Sequence, residues 1–215
     1  MTRVSVIIPA LNEEAHLGAT IDAAFAAGAA EVIVSDGGSR DATLTVARSH
    51  GARVLAGERN RARQLNRGAA EASGEWLLFV HADTLLPPGA CEAIVRSNAD
   101  FGGFLIDFLE PGWRLRYVAF MVNARTRLTR APWGDQGHFA RRAAFPGYPD
   151  YPLMEDYELA RRMRKRAVIL PLRVRTSGRR FLQKGVFRTS AINWAVVIAY
   201  HLGVSPERLA RWYRT

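Results

Sequence analysis

The sequence RVSVIIPALNEE, residues 3–14, joins a continuous β-branched run to a polar Asn-Glu-Glu break. An apolar run without polar alternation is typical of a strand that is buried on both faces, as in a parallel sheet covered by helices. Asn12 can cap a following helix whose first turn holds Glu13 and Glu14, and Gly28 can end that helix. The segment therefore predicts a buried β-strand followed by a helix.

The same alternation continues through the first hundred residues. Further strands are predicted at 31–35, 53–56 and 75–80, and helices at 42–49 and 61–73. Strands that alternate with helices through short connections favour a parallel sheet with right-handed crossovers. We therefore predict an α/β fold, with a Rossmann-type, mostly parallel sheet flanked by helices.

Beyond residue 88 the pattern is less regular. Residues 101–110, FGGFLIDFLE, alternate like an exposed or antiparallel strand. A helix is predicted over 113–129, followed by a loop into a short strand, a helix near 155 and a strand at 167–176. The large apolar residues of the first of these helices recur at helical spacing, which predicts that they pack in the core: Trp113, Tyr117, Phe120 and Met121.

Residues 191–204, AINWAVVIAYHLGV, form an apolar segment of fourteen residues. A membrane-spanning helix needs roughly 20. We expect a C-terminal helix that packs on the domain or on a partner. The alternative is a helix that lies on a membrane surface, helped by nearby arginines. The predicted organisation is one αβ half at 1–98, a second half of the same domain at 99–188 and a helical segment at 189–215.

The chain of 215 residues has a formal net charge of +10, carried almost wholly by arginine. Such a charge suits an anionic substrate, an anionic membrane surface or nucleic acid. The basic residues lack aromatic interleaving and no recognition-helix motif is present, which disfavours nucleic acid. Cys91 is the single cysteine, and the first strand begins too early for a signal peptide. We therefore expect a cytoplasmic location, with the inner face of the membrane as the alternative.

Three aspartates stand at predicted strand ends or in adjoining turns: Asp36, Asp83 and Asp156. Each alone is explained by a turn or a helix start. The carboxyl ends of parallel strands, however, meet at one edge of a sheet, where α/β proteins bind ligands. Together the three acids therefore predict one site.

Four segments occur in the order VSVIIPALNEE, VIVSDGGSRDAT, GEWLLFVHADT and MEDYELARR. As a set, they resemble the family 2 inverting glycosyltransferases, which have the GT-A fold, over about residues 3–165. Within that family the chain is most similar to a small bacterial subgroup that bears HADT and GDQG. The resemblance implies transfer of a sugar from a nucleotide-sugar donor, UDP- or GDP-linked, to an acceptor that the sequence does not identify.

The resemblance implies a nucleotide pocket at the ends of the first two strands. Asp36 would hold the base or the ribose, and either Arg61 or Arg63 would approach the nucleotide or its diphosphate. The other pocket positions implied are Pro9, Ala10, Leu11 and Glu13.

His81, Ala82 and Asp83 match the family's Asp-x-Asp motif, with histidine in the first position. Asp83 would then be the metal-coordinating acid for Mn²⁺ or Mg²⁺, whose charge stabilises the departing diphosphate. His81 departs from the pattern; it would ligate the metal, contact the sugar or fix the loop. The resemblance implies that all three residues belong to the nucleotide-sugar site.

Inversion requires a base that takes the proton of the acceptor hydroxyl. Asp156 matches the family's Glu-Asp motif and is the residue we expect in this role, with Glu155 as the alternative. Gly134 and Asp135 in WGDQG would shape the acceptor side or form only a tight turn. Additional diphosphate contacts are expected from Arg179, Arg180 and Lys184.

Two other classes of function compete with this one. A sugar nucleotidyltransferase would be expected to carry a glycine-rich basic loop after the first strand, which PALNEE lacks. The other competing function is a non-enzymatic module that binds an anionic membrane or nucleic acid, and the net charge is the only feature that favours it. The Gln-x-x-Arg-Trp motif of processive family members is absent, which favours transfer of a single sugar. The apolar helix at 191–202 could also form a homo-oligomer interface.

Overall fold

The computed structural model describes residues 3–214, which form one eight-stranded sheet between helices. The strands are Val4–Ala10 (β1), Glu31–Asp36 (β2), Arg53–Leu55 (β3), Trp76–Phe79 (β4), Thr84–Leu85 (β5), Phe101–Phe108 (β6), His138–Arg141 (β7) and Ala167–Thr176 (β8). The helices are Leu17–Ala26 (α1), Thr43–Ser49 (α2), Arg61–Glu71 (α3), Ala90–Ser97 (α4), Trp113–Thr129 (α5), Glu155–Met163 (α6), Arg179–Lys184 (α7), Val186–His201 (α8) and Pro206–Arg214 (α9).

The strand order is β3-β2-β1-β4-β7-β6-β8-β5, and the first four strands are parallel. In the register, Ile7 of β1 lies beside Ile33 of β2 and Phe79 of β4. Alternate residues of β1 face opposite layers, since Val6 packs in the cluster that contains α1 while Ile7 packs in the cluster that contains α3. The predicted α/β fold with a mostly parallel sheet is confirmed.

The first helix begins at Leu17, so the prediction that Asn12 caps it is wrong. Asn12 adopts a left-handed backbone conformation with φ of 53°. Its N–H donates to Ser39 Oγ (2.9 Å), and its Oδ1 accepts from the backbone N–H of Arg40 (2.9 Å). Asn12 therefore ties the loop after β1 to the loop after β2, at the edge where a ligand would bind.

The strand β6 lies inside the sheet, which corrects the expectation that this segment is exposed. It is antiparallel to β7, as the sequence allowed, but parallel to β8, and nearly all of its residues are buried. Glycines make this packing possible, since a Cβ at Gly102 would lie 2.2 Å from the carbonyl oxygen of Val168. Because both faces of β6 are buried, apolar and polar residues alternate only weakly along this strand.

The helix α5 presents its large apolar residues to solvent, so the prediction that they pack in the core is wrong. Trp113, Tyr117, Phe120 and Met121 are between 45% and 67% exposed. The helix instead buries the face that carries Asn123, whose side-chain amide bonds both the N–H and the carbonyl of Ile106 in β6 (2.8 and 2.9 Å). Both faces of α5 are apolar, and this polar contact fixes which face is inside.

The C-terminal helices pack on the domain. Val196 of α8 and Leu209 of α9 share a buried cluster with Met154, which precedes α6. Tyr200 donates to Glu158 (2.8 Å), and the Tyr157 hydroxyl lies 2.6 Å from His201 Nε2. This confirms packing for one face of the C-terminal segment. Within residues 3–214 no helix has the length and apolar character required to cross a membrane.

Candidate active site

The loops after β1 and β2 are joined at the carboxyl edge of the sheet. Ala10 pairs with Asp36, and its carbonyl accepts from the backbone N–H of Gly37 (2.9 Å) and from Gln64 Nε2 (3.0 Å). The Asp36 carboxylate, almost fully buried, accepts from the backbone N–H groups of Gly38 (2.7 Å) and Ser39 (3.0 Å). The structure thus brings Asp36 next to the 9–11 segment, and this carboxylate also holds its own turn.

Arg179 joins two acids of the predicted donor site. Its Nη2 donates to both oxygens of Glu13 (2.7 and 3.0 Å) and lies 3.3 Å from Asp83 Oδ2. Burial raises the pKa of Asp83 above its ordinary value, Arg179 opposes that rise and Glu13 adds to it. Two partly buried carboxylates and one arginine therefore meet where β1, β4 and α7 converge.

This arrangement fits a hard divalent cation only in part. Carboxylate oxygens are the ligands that Mg²⁺ and Mn²⁺ prefer. Among residues 3–214, however, no group of three or more His, Cys, Asp or Glu side chains is placed to hold a metal. The donor set, Asp83 with Glu13 nearby, suits an ion that takes most of its ligands from a diphosphate, as Mg²⁺ does in nucleotide sites.

A second cluster surrounds the guanidinium of Arg61 in α3. Its Nε donates to Glu155, its Nη2 lies 3.2 Å from Asp156 Oδ2, and its Nη1 lies 3.3 Å from His81 Nε2. Burial, together with the charge of Arg61, lowers the pKa of His81 to about 3. His81 is thus neutral and its Nε2 accepts from Arg61, which supports a role in fixing the site.

Asp156 and Glu155 differ in their environments although they are adjacent. Burial opposes ionisation of Asp156, but Arg61, His138 and backbone N–H donors from Gly134 (2.9 Å) and Tyr157 (2.7 Å) outweigh it, so its pKa lies below the usual value. Glu155 is almost fully buried, and burial raises its pKa despite its bond to Arg61. The site therefore favours the ionised form of Asp156 more than that of Glu155, and the Asp156 side chain is the more exposed of the two, at 19% against 2%.

A cavity of about 530 Å³ opens beside this cluster, and both Asp83 and Asp156 line it. Its walls carry buried polar atoms that have no hydrogen-bond partner in the described chain. They are Nε and Nη1 of Arg125, Nε1 of Trp133, Oδ1 of Asp135 and Oγ1 of Thr189. Because buried polar groups are normally paired, these atoms mark a place for a polar ligand.

The GDQG segment shapes the wall between the cavity and the acids. Gly134 lies against Asp156 and His81, and Gln136 is fully buried. The Gln136 side chain accepts from Arg125, Thr126 and the backbone N–H of Trp133, and donates to the carbonyl of Phe104 (all 2.8–3.0 Å). Burial raises the pKa of Asp135 to about 6, against the opposing charge of Arg125.

Three of the predicted basic residues do not join either cluster. Arg63 is exposed and pairs with Asp150 (2.8 Å), so the structure brings only Arg61 of the two arginine candidates to the site. Lys184 is exposed and does not line the cavity. Arg180 lines the cavity, but its guanidinium stacks on Tyr213 at 4.0 Å and donates to its hydroxyl.

Sequence reasoning missed Arg125, Trp133 and Thr189. Arg125 is one of many arginines in the chain, and nothing in the surrounding sequence distinguishes it as a site residue. Its guanidinium carbon lies 3.8 Å from the centre of the Trp133 ring, a contact that the fold creates. The one available signal was the position of Trp133 directly before GDQG.

The family model described as "Glycosyl transferase family 2" matches residues 5–101. This segment contains strands β1 to β4 and the motif at 81–83. The candidate donor site lies at the carboxyl ends of these strands. The matched residues are thus similar to family 2 glycosyltransferases, and the fold of the chain agrees with that of solved glycosyltransferase structures. No curated protein sequence matches the chain.

Solved structures of Mycobacterium tuberculosis glucosyl-3-phosphoglycerate synthase are similar to this chain. One has a TM-score of 0.61 and 22% identity, over 80% of this chain and 71% of the other. A complex of that protein with Mn²⁺ and UDP-glucose has a TM-score of 0.56 and 22% identity, covering 80% and 70%. Another, with Mn²⁺, UDP and phosphoglyceric acid, has a TM-score of 0.57 and 21% identity, covering 80% and 69%.

Proposed function

We propose that the protein transfers a single sugar from a nucleotide-sugar, with UDP-sugars as the first candidates, to an acceptor hydroxyl with inversion. The observation that carries this proposal is that one cavity is lined by both Asp83 and Asp156. A donor held at Asp83 would thus present its anomeric carbon to the space that Asp156 also faces. Residues of all three predicted segments line this cavity, which supports a site at the junction of 1–98, 99–188 and 189–215.

The donor side would be built from the first two loops. Pro9, Ala10 and Leu11 would line the nucleotide pocket, while Asp36, through the turn that it orders, would place backbone groups near the base or ribose. Asp83, with Glu13 beside it, would hold Mg²⁺ or Mn²⁺. When bound, the ion would stabilise the negative charge that develops on the diphosphate. Arg179 adds a positive charge at the same place.

Asp156 is the proposed base. A base must be ionised at neutral pH, and its low pKa meets that condition. It would accept the proton of the acceptor hydroxyl as that oxygen attacks the anomeric carbon and the nucleoside diphosphate leaves. Glu155 is less suited because it is almost fully buried and held by Arg61. Arg61 orients both acids.

The acceptor would bind in the cavity, near the unpartnered atoms of Arg125, Trp133 and Asp135. Asp135 can accept from an acceptor hydroxyl, and Arg125 can donate to an acceptor oxygen. Gly134 keeps this wall close to Asp156. The cavity thus offers both hydrogen-bond donors and acceptors on its walls.

The test is calorimetric titration with UDP-glucose and GDP-mannose, with and without Mn²⁺, followed by a donor-hydrolysis assay. We expect Asp83→Asn to abolish metal-dependent donor binding. Asp156→Asn should keep donor binding and lower turnover by about 10²–10⁴-fold. Glu92→Gln, an exposed acid on α4, is the matched control and should change neither. Failure of the wild-type protein to bind any nucleotide-sugar would contradict the proposal.

The stereochemical outcome tests the role of Asp156 separately. A single displacement assisted by a base gives a product with the anomeric configuration opposite to that of the donor. NMR of the product would show this directly. Retention of configuration would rule out Asp156 as the base of a single displacement, while leaving the donor site unaffected.

A further inference from the structure

The helix α5 carries an exposed apolar stripe along its whole length. Trp113, Tyr117, Phe120, Met121 and Leu128 recur at the spacing of one helix face, and all are exposed. Leu128, at 86%, is the most exposed large apolar side chain described. An exposed apolar stripe of this length on one helix is a mark of an interaction surface.

The helix α8 and the residue after it repeat the pattern. Phe187, Trp194, Ile198 and Leu202 are exposed and lie on one face, with the small residues Ala191 and Ala195 between them. The opposite side of α8 packs on the domain through Val196. Packing on the domain therefore leaves one apolar face of the C-terminal segment uncovered.

The two stripes border the mouth of the cavity. Tyr117 and Met121 of α5, and Phe187 and Trp194 of α8, line the cavity although about half or more of each side chain is exposed. At the inner end are buried polar atoms such as Arg125 Nη1 and the acid Asp156. The cavity is therefore apolar at its rim and polar at its inner end.

The charges carried by α5 and α8 are of one sign. Neither α5 nor α8 contains an acidic residue. The exposed arginines of these helices and their ends flank the apolar stripes: Arg114, Arg116, Arg127, Arg130 and Arg188. An apolar face with flanking arginines is the pattern of a helix that lies in the interface of an anionic bilayer.

We infer that the α5–α8 face docks on an anionic membrane surface and that the acceptor is a membrane-held lipid whose polar head enters the cavity. The acceptor part of this inference rests on the proposed transferase function. Lipid tails would lie along the apolar rim, while the head group would reach the polar inner end. Two copies of the chain meeting face to face would bring like charges together, which disfavours a second copy as the occupant.

The docking is tested by co-sedimentation with vesicles of phosphatidylcholine, alone or with about 30% phosphatidylglycerol. We expect binding to the anionic vesicles only. The triple variant Trp113→Ser, Phe120→Ser, Ile198→Ser, whose residues lie outside the cavity wall, should weaken binding by about tenfold or more. Phe25→Ser, an exposed aromatic on α1, is the matched control and should bind as the wild type does.

The charge contribution has its own pair of variants. Arg116→Glu with Arg127→Glu should reduce binding by about tenfold or more at low salt, and added salt should weaken the wild type towards the same level. Arg48→Glu, exposed on α2, should have no effect. Equal binding of wild type and both sets of variants would overturn the assignment of this face.

Donor calorimetry on the same samples separates the two proposals. Donor binding without vesicle binding would overturn the membrane inference and leave the transferase proposal standing. Vesicle binding without donor binding would support the docking face and contradict the transferase. A dimer in analytical ultracentrifugation that the triple variant dissociates, with no vesicle binding, would assign the face to a second copy instead.

The acceptor class is tested with radiolabelled donor and vesicles of a total bacterial lipid extract. The expected result is label in the organic phase, reduced in the triple variant while donor binding stays unchanged. Label that appears only in a water-soluble product would overturn the lipid-acceptor part of the inference.

Discussion

The backbone N–H of Gly134 donates to Oδ2 of Asp156 at 2.9 Å, and a Cβ at position 134 would lie 2.6 Å from that same oxygen. The loop that precedes β7 therefore holds the proposed base in place from one side, while Arg61 holds it from the other at 3.2 Å. The position of this carboxylate depends on a residue without a side chain.

Gly134→Ala should displace the Asp156 carboxylate without unfolding the protein. The added methyl group must push Asp156 or His81 away, and a shift of about 1 Å in a reacting group can reduce the rate by about 10²-fold. Donor binding should remain, because Asp83 and Glu13 are untouched. The measurement is donor hydrolysis together with calorimetry.

Gly89→Ala is the matched control for that variant. A Cβ at Gly89 meets nothing within 4 Å, but its φ of +75° makes alanine unfavourable. Its stability should therefore fall by about 1 kcal/mol with the rate unchanged. Equal rates for the two variants would contradict the placement of Asp156 by Gly134.

Arg61→Met should destabilise the fold as well as the site. Glu155 would be left almost fully buried without its cationic partner, a situation that costs about 3–5 kcal/mol. Adding Glu155→Gln removes the unpaired charge and should restore much of the free energy of unfolding. Urea denaturation measures both effects.

The double variant separates positioning from stability. Asp156 and His81 also lose Arg61, so the pKa of Asp156 should rise and the acid limb of the pH–rate profile should move to higher pH. Turnover at neutral pH should remain well below wild type. Full recovery of both stability and the pH profile would show that Arg61 acts only structurally.

Asp135→Asn should stabilise the protein at neutral pH. Burial raises the folded-state pKa of Asp135 to about 6, so the folded state holds its proton more tightly than the unfolded state. The associated stability is present below the unfolded pKa and is lost as the pH rises through about 6. The neutral amide avoids this loss, with a gain of about 1–3 kcal/mol at pH 7.

The comparison is made by urea unfolding of wild type and variant at pH 7 and at a pH near 4. The advantage of Asp135→Asn should shrink at the lower pH, where Asp135 is protonated in the folded state and about half protonated in the unfolded state. An advantage of the same size at both values would contradict the raised pKa.

The fold was largely predictable, because the buried strands β1, β2 and β4 are continuous apolar runs, typical of a covered parallel sheet, and alternate with helices along the chain. The edge acids Asp83 and Asp156 followed from strand ends and the family resemblance. The orientation of α5 was not predictable. Both of its faces are apolar, and one hydrogen-bonded pair, Asn123 with Ile106, selects the buried one.

The cavity wall was equally hidden from sequence. Arg125 and Trp133 lie eight positions apart on different elements, and they meet because the buried Gln136 holds both. Such contacts depend on tertiary packing and leave no periodic signal. The exposed stripe on α5 was predicted to lie in the core for the same reason, since periodicity reports an apolar face but not what covers it.

Asn123→Ala tests the contact that orients α5. Alanine leaves the buried N–H and carbonyl of Ile106 without partners, which costs about 1–3 kcal/mol for each unsatisfied group. We expect the free energy of unfolding to fall by a few kcal/mol in total, about 2–5, as measured by urea denaturation. Arg127→Ala, an exposed change on the same helix, should lie within about 0.5 kcal/mol of wild type. Equal stabilities for the two variants would mean that side-chain packing alone, and not this amide, decides which face of α5 is buried.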